Sequence, residues 1–178
     1  MIGQRYSVSF NEYKLVNYLY CNKTCELTEQ KPECWFGGYQ NPNKCNECLC
    51  PYPLYGYRCQ SLTSDNKGYC PYTSVSPAPY ETLLKYYGYR HCSTIIQAPE
   101  KHQRIQIIVE HVWLSDNEFC ARGDSMLEIK YKEDKSLMGL CFCNHVKDYK
   151  IISESNIVII TYHGYRFSQS ADVTYKLV

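Results

Sequence analysis

Twelve cysteines in 178 residues, unevenly placed, limit this chain more than any other feature. None precedes Cys21, eight fall from Cys21 to Cys70, and four fall from Cys92 to Cys143. An even count at this density marks disulfide-rich extracellular modules and argues against a cytosolic protein. Six of the cysteines lie between Cys25 and Cys59, where Gly37-Gly38-Tyr39 and Asn41-Pro42-Asn43 supply turns and few apolar residues remain for a core. Crosslinks must hold such a segment, because chains below about 40 residues seldom fold without staples. Each bridge closing a loop of this size is worth about 3 kcal/mol. The distribution predicts a short tail, a small stapled module and a larger domain.

The first residues conflict with that reading. Met1-Ile2-Gly3-Gln4-Arg5 leads into polar sequence, with no apolar core or small-residue cleavage site of an export signal. Either the chain is part of a longer secreted protein, or the thiols bind metal instead; the first is the working expectation.

Composition narrows the function classes. Nineteen Lys and Arg against eighteen Asp and Glu leave a net charge of +1, too little for the field that draws proteins to nucleic acid. A mean hydropathy of -0.46 and the absence of any apolar run near the ~20 residues of a spanning helix predict no membrane span. Nineteen Tyr against five Phe suit thin cores that bury a ring while its hydroxyl stays near water.

Ser9 with Glu12 three residues on forms a capping box and predicts one short helix over residues 7–20. Its Phe10, Tyr13, Val16 and Tyr20 share a stripe that Leu15 and Leu19 widen, which calls for a partner surface. After Cys70 the period changes to two. Leu127, Ile129 and Tyr131 alternate with Glu128, Lys130 and Lys132; Val173, Tyr175 and Leu177 alternate with Asp172, Thr174 and Lys176; Ile105, Ile107 and Val109 open a third run. These read as half-buried strands. The segment from Ile157 to Tyr162 is apolar on both faces and is expected to sit centrally between two sheets. The fold class is therefore mainly β, with a short N-terminal helix, a small disulfide-rich module and an antiparallel β-sandwich of about 110 residues.

Three stretches resemble one known architecture. Ile2-Gly3-Gln4-Arg5, Ser9-Phe10, Val16-Asn17 and Tyr20-Cys21 resemble the end of an astacin-family zinc metallopeptidase catalytic domain. Cys34, Gly37-Gly38-Tyr39, Cys45, Cys48, Cys50-Pro51, Gly56 and Cys59 resemble the EGF-like module that follows that domain in nematode-type members. Ser76-Pro77-Ala78-Pro79-Tyr80, Cys92, Ala98-Pro99-Glu100, Cys120, Leu127-Glu128-Ile129-Lys130 and Gly139 through Phe142-Cys143 resemble a CUB domain. The resemblance implies a remnant of the catalytic domain at 1–21, an EGF-like module at 22–60 and a CUB-like sandwich at 70–178. It implies a secreted parent that cleaves peptide bonds with zinc, and it places the zinc signature in a catalytic domain that this chain lacks.

The residues themselves agree on that last point. Zinc hydrolysis needs about three protein ligands and a bound water, and two His at a spacing of four are the usual device. His91, His102, His111, His145 and His163 offer no such spacing and read as surface or hydrogen-bonded core histidines. No catalytic residue, metal ligand or cofactor is assigned to this chain.

Cys45-x-x-Cys48 is open to metal, redox or disulfide readings, and six cysteines allow 15 connectivities. The resemblance implies Cys25 with Cys45, Cys34 with Cys48 and Cys50 with Cys59, then Cys70 with Cys92 and Cys120 with Cys143. It implies that Cys21 bridges back into the missing catalytic domain. Cys141 has no counterpart, and three fates stay open for it: replacing Cys143, remaining a thiol, or meeting Cys21. Asn22-Lys23-Thr24 is an N-glycosylation sequon in a polar link. Arg122-Gly123-Asp124 is an adhesion tripeptide better read as chance. Glu118, Asp124 and Asp172 are candidate calcium ligands better read as solvated acids, since the 162–168 stretch supplies no carboxylate where a calcium-type CUB domain would. The tyrosine-rich run Tyr86-Tyr87-Gly88-Tyr89 is either a docking edge or core.

The expected role is binding: positioning an extracellular protein substrate or matrix component, with no nucleic-acid partner and an unassigned oligomeric state. Its rival is a free-standing extracellular recognition protein descended from an astacin that lost its protease domain. Hydrolysis by this chain alone would require bound zinc.

Overall fold

The structure is a computed structural model that describes residues 8–28, 31–63, 70–114, 120 and 123–178. The element order is α1 (Phe10–Tyr20), β1 (Tyr39–Gln40), β2 (Cys48–Leu49), β3 (Leu54–Tyr55), β4 (Ser61–Leu62), β5 (Ser74–Val75), β6 (Thr82–Tyr87), β7 (Arg90–Gln97), β8 (Ile105–Trp113), β9 (Met126–Lys130), β10 (Leu140–Phe142), β11 (Val146–Ile152), β12 (Ile157–Gly164) and β13 (Ser170–Leu177). Two compact units divide it, Met1–Thr63 with Asp134–Leu137, and Ser64–Glu133 with Met138–Val178.

In the first unit the capping box forms as the sequence predicts. The Glu12 N–H donates to Ser9 Oγ at 3.3 Å and the Ser9 N–H donates to Glu12 Oε2 at 2.6 Å. That backbone hydrogen bond, then the Ser9 side chain, holds the Glu12 carboxyl below its ordinary pKa. The face of α1 departs from expectation. The half-buried stripe is Phe10, Asn11, Lys14 and Asn17; the Phe10 ring lies 5.4 Å from that of Tyr39, and Lys14 Nζ donates to the Gly37 carbonyl at 2.8 Å. Of the predicted apolar stripe Phe10 packs as expected, whereas the rest faces solvent, with Tyr13 57%, Val16 52%, Leu19 66% and Tyr20 81% exposed. One aromatic contact and one ammonium–carbonyl bond orient the helix more specifically than its aliphatic residues do.

The rest of this unit is two small antiparallel ladders, β1 with β2 and β3 with β4. Its buried hydrophobic side chains include Cys25, Tyr39, Cys48, Leu54 and Cys59, so sulfur fills much of the interior that hydrocarbon would occupy in a larger domain.

The second unit is a two-sheet sandwich, with a five-stranded sheet in the order β10-β9-β12-β7-β5 and a four-stranded sheet in the order β11-β8-β13-β6. The pairings are antiparallel except that of β5, a two-residue strand running parallel to β7. Val158, Ile160 and Tyr162 of β12 join Ile96, Leu127 and Ile129 in the core, opposite Leu84, Ile107, Val109, Val112, Val173 and Tyr175 of the other sheet. The alternation of β13 and the apolar opening of β8 are as predicted.

Two expectations are corrected. β12 is not a layer between sheets but the middle strand of one; its second face, with Ile159 and Thr161, is buried as well. β9 is not half-buried: all five residues are buried, and Glu128 and Lys130 form an ion pair of 3.5 Å with side chains 0% and 2% exposed. Alternation of charge with hydrocarbon reports a solvated face only when the charges lack buried partners.

Candidate functional site

The cysteines set the frame. Sulfur–sulfur bonds join Cys25 to Cys45, Cys34 to Cys48, Cys50 to Cys59, Cys70 to Cys92 and Cys120 to Cys143. Their Cα separations of 5.3 to 5.7 Å fall in the usual disulfide range. The two sulfurs outside these bridges belong to Cys21 and Cys141, both partly buried. Asn22, Lys23 and Thr24 are all exposed, as a glycosylation acceptor requires. Arg122 and Glu118 lie outside the described residues; Asp124 is exposed just before β9, and Asp172 Oδ2 lies 4.0 Å from Lys85 Nζ across the β13–β6 ladder. No family of three His, Cys, Asp or Glu side chains converges among the described residues.

The histidines show what pairing adds to spacing. His91 and His163 face each other across the β7–β12 ladder, and their rings stack at 4.6 Å. Tyr165 stands edge-on to His91 at 4.7 Å, and Tyr89 stands edge-on to Tyr165 at 6.1 Å. Linear spacing gave no sign of this cluster, because register between strands 72 positions apart in sequence creates it.

The cluster belongs to one end of the sandwich, where the β6–β7 turn, the β12–β13 loop and the end of β8 meet. Gln169 organises them. Its Oε1 accepts from the N–H groups of Tyr165 at 2.6 Å and Arg166 at 2.9 Å, while its Nε2 donates to the Leu114 carbonyl and to Ser125 Oγ. Its own carbonyl accepts from the Gly88 N–H at 2.8 Å. Gln169 is 2% exposed, so the loops hang on a hydrogen-bonded post shielded from water. The buried Tyr162 hydroxyl lies 3.1 Å from the carbonyls of Gly88 and Gln169 and donates between them. Gly164 is required beside it, because a Cβ there would overlap the Gly88 carbonyl oxygen.

The tyrosine run divides between core and exposed surface. Tyr86 is core: its ring stacks on Tyr162 at 5.5 Å, its hydroxyl donates to Thr94 Oγ1 at 2.8 Å, and burial raises its pKa, as it does for Tyr162. Tyr87 and Tyr89 are 55% and 44% exposed, and the Arg90 guanidinium lies 4.2 Å from the centre of the Tyr87 ring. Phe167 at the tip of the neighbouring loop is 93% exposed. In the cross-strand row Tyr87–Ser170–Trp113 a second exposed ring follows, with His145 edge-on to Trp113 at 4.2 Å. The arrangement is a set of exposed rings, here called the aromatic platform, with a cation against one of them and the buried Gln169 behind the loops. Phe167 and Gln169 carried no sequence signal, being one aromatic and one amide in a polar loop.

No family model matches the chain. It is 28% identical over 186 residues to the zinc metalloproteinase nas-36 of Caenorhabditis briggsae, covering 99% of this chain and 29% of that protein. It is 30% identical over 163 residues to nas-34 of Caenorhabditis elegans, covering 92% and 26%, and 34% identical over 159 residues to nas-26 of the same species, covering 88% and 36%. The CUB1-EGF-CUB2 region of human MASP-1/3 superposes with a TM-score of 0.47 at 15% identity, covering 82% of this chain and 49% of that one. That of rat MASP-1 gives 0.47 at 13%, covering 87% and 56%. The chain spans well under half the length of the curated relatives it matches. By homology along nearly its whole length, it belongs with the nematode astacin-family zinc metalloproteinases and corresponds to a C-terminal part of them.

Proposed function

We propose that this chain is the non-catalytic EGF-like plus CUB accessory region of a secreted astacin-type zinc metalloendopeptidase, and that it holds a protein substrate or matrix component close to the active site. The observation that carries the reading is the aromatic platform of Tyr87, Tyr89, Trp113 and Phe167, fixed in place by Gln169. Exposed rings and Arg90 on a pre-ordered backbone bind without a large ordering cost, and a tethered binding site raises the local concentration of substrate without chemistry. In this reading zinc belongs to the catalytic domain alone. The apolar, solvent-facing stripe of α1 and the neighbouring Cys21 are its attachment to that domain, and Asn22 carries a glycan. The five bridges and the exposed sequon favour an oxidising, extracellular setting.

The test uses the chain joined to its catalytic domain. Combined Tyr87→Ala, Trp113→Ala and Phe167→Ala should raise KM about tenfold or more for a folded protein substrate, given typical hot-spot losses, and leave kcat and the cleavage of a short peptide unchanged. Equal KM values in the two proteins would remove the platform from substrate binding.

A further inference from the structure

The first unit holds an open cavity of about 500 Å³ lined by Glu47, Leu49, Leu54, Tyr55 and Tyr57, with two cysteines and a glycine completing the wall. Nothing in the platform reading uses it. Its shape follows from local constraints. Cys48 in β2 donates its N–H to the Tyr57 carbonyl at 3.0 Å, and the Cys50–Cys59 bridge ties the two sides together. Gly56 turns the chain between the two tyrosines at a φ of 101°, a value that residues with a Cβ avoid. Tyr55 and Tyr57 are therefore displayed on either side of the turn, 52% and 42% exposed, instead of packing inward.

The chemistry of the lining is one-sided. It offers one carboxylate and two electron-rich phenol rings, with Leu49 and Leu54 as apolar floor. Among the described residues, no Lys or Arg lines it. A carboxylate with aromatic rings is the combination that attracts an organic cation, and an apolar floor suits the methylene stem that carries one. Glu47 already pairs with one cation: Lys44 Nζ, on a residue outside the lining, lies 3.6 Å from its Oε2, with side chains 64% and 42% exposed. An ion pair that exposed is weak, so an incoming cation can displace it.

We propose that this cavity is a binding site for a basic side chain, lysine or arginine, of a partner protein. It is a second contact, independent of the aromatic platform, and it selects for positive charge.

The experiment is a nitrogen-15 amide spectrum of the full chain titrated with acetyl-Gly-Lys-Gly-amide, with the norleucine peptide as isosteric control. The lysine peptide should produce saturable shifts at Leu49, Tyr55 and Tyr57, and the norleucine peptide should not. Glu47→Gln and Tyr57→Ala should each weaken binding about threefold, in line with exposed ion-pair and cation–π energies, while Lys44→Gln should strengthen it by up to about twofold as the competing ammonium is removed. These positions are exposed, and a reference spectrum of each variant reports its fold. Equal shifts with norleucine would reduce the site to an apolar cleft and overturn the proposal, as would the absence of saturable shifts or a Lys44→Gln variant that binds more weakly.

Discussion

Gln169 shows how much one buried amide can organise. Its side chain ties the β12–β13 loop to Leu114 after β8 and Ser125 before β9, so Gln169→Ala should destabilise the sandwich by about 2–3 kcal/mol, through buried groups left without partners. Urea unfolding followed by near-ultraviolet spectroscopy measures that loss. Tyr86 and Tyr162 make a second prediction. Burial raises both phenol pKa values, so the unfolded chain releases these protons at lower pH than the folded one. Their contribution to stability is complete below the ordinary phenol value of about 10 and is lost as pH rises above it. Tyr162→Phe should flatten that alkaline decline in thermal melts; an unchanged profile would place the titration elsewhere. Little of this was legible in the sequence. Tyrosines were visible as a class suited to wet, thin cores, but whether a given ring is Tyr86 or Tyr87, core or platform, depends on which face of β6 meets the other sheet.

At the scale of elements, termini were more legible than faces. Ser9 and Glu12 mark the start of α1 because a capping box is local chemistry, independent of tertiary contacts. Ser9→Ala should therefore remove about 1 kcal/mol from the helix and speed amide exchange in its first turn. The Glu12 carboxyl, held below its ordinary value by Ser9, should make the same turn fray as pH falls through the carboxylate range, because its contribution is present above the unfolded value and lost below the folded one. If exchange in α1 is indifferent both to the substitution and to pH, the cap does not stabilise the helix. Which face packs was only partly legible: the stripe rule assigned Phe10 correctly but turned Tyr13, Val16 and Tyr20 inward with it, whereas Lys14 takes the second contact, with Gly37. β9 misled for a related reason. Its Glu128 and Lys130 neutralise each other within the protein, and the strand then tolerates burial on both faces.

For the molecule as a whole, cysteine spacing and period-two runs were enough to foresee a stapled module and a β-sandwich, because both are driven by covalent or one-dimensional constraints. The platform was not foreseeable in detail, since it is assembled from turns that only strand order brings to one end. The two units differ in what stabilises them. The sandwich buries a continuous hydrocarbon core, and the first unit buries cysteines with few apolar neighbours. Graded reduction should therefore unfold the first unit while the sandwich keeps its exchange-protected strands, each lost bridge costing about 3 kcal/mol; simultaneous collapse of both units would refute that division. Above all, sulfur crosslinks give this chain its shape. Peptide mapping without reduction tests it most directly. It should recover Cys25–Cys45, Cys34–Cys48, Cys50–Cys59, Cys70–Cys92 and Cys120–Cys143 as linked pairs; alkylation of those ten sulfurs in the unreduced protein would contradict it.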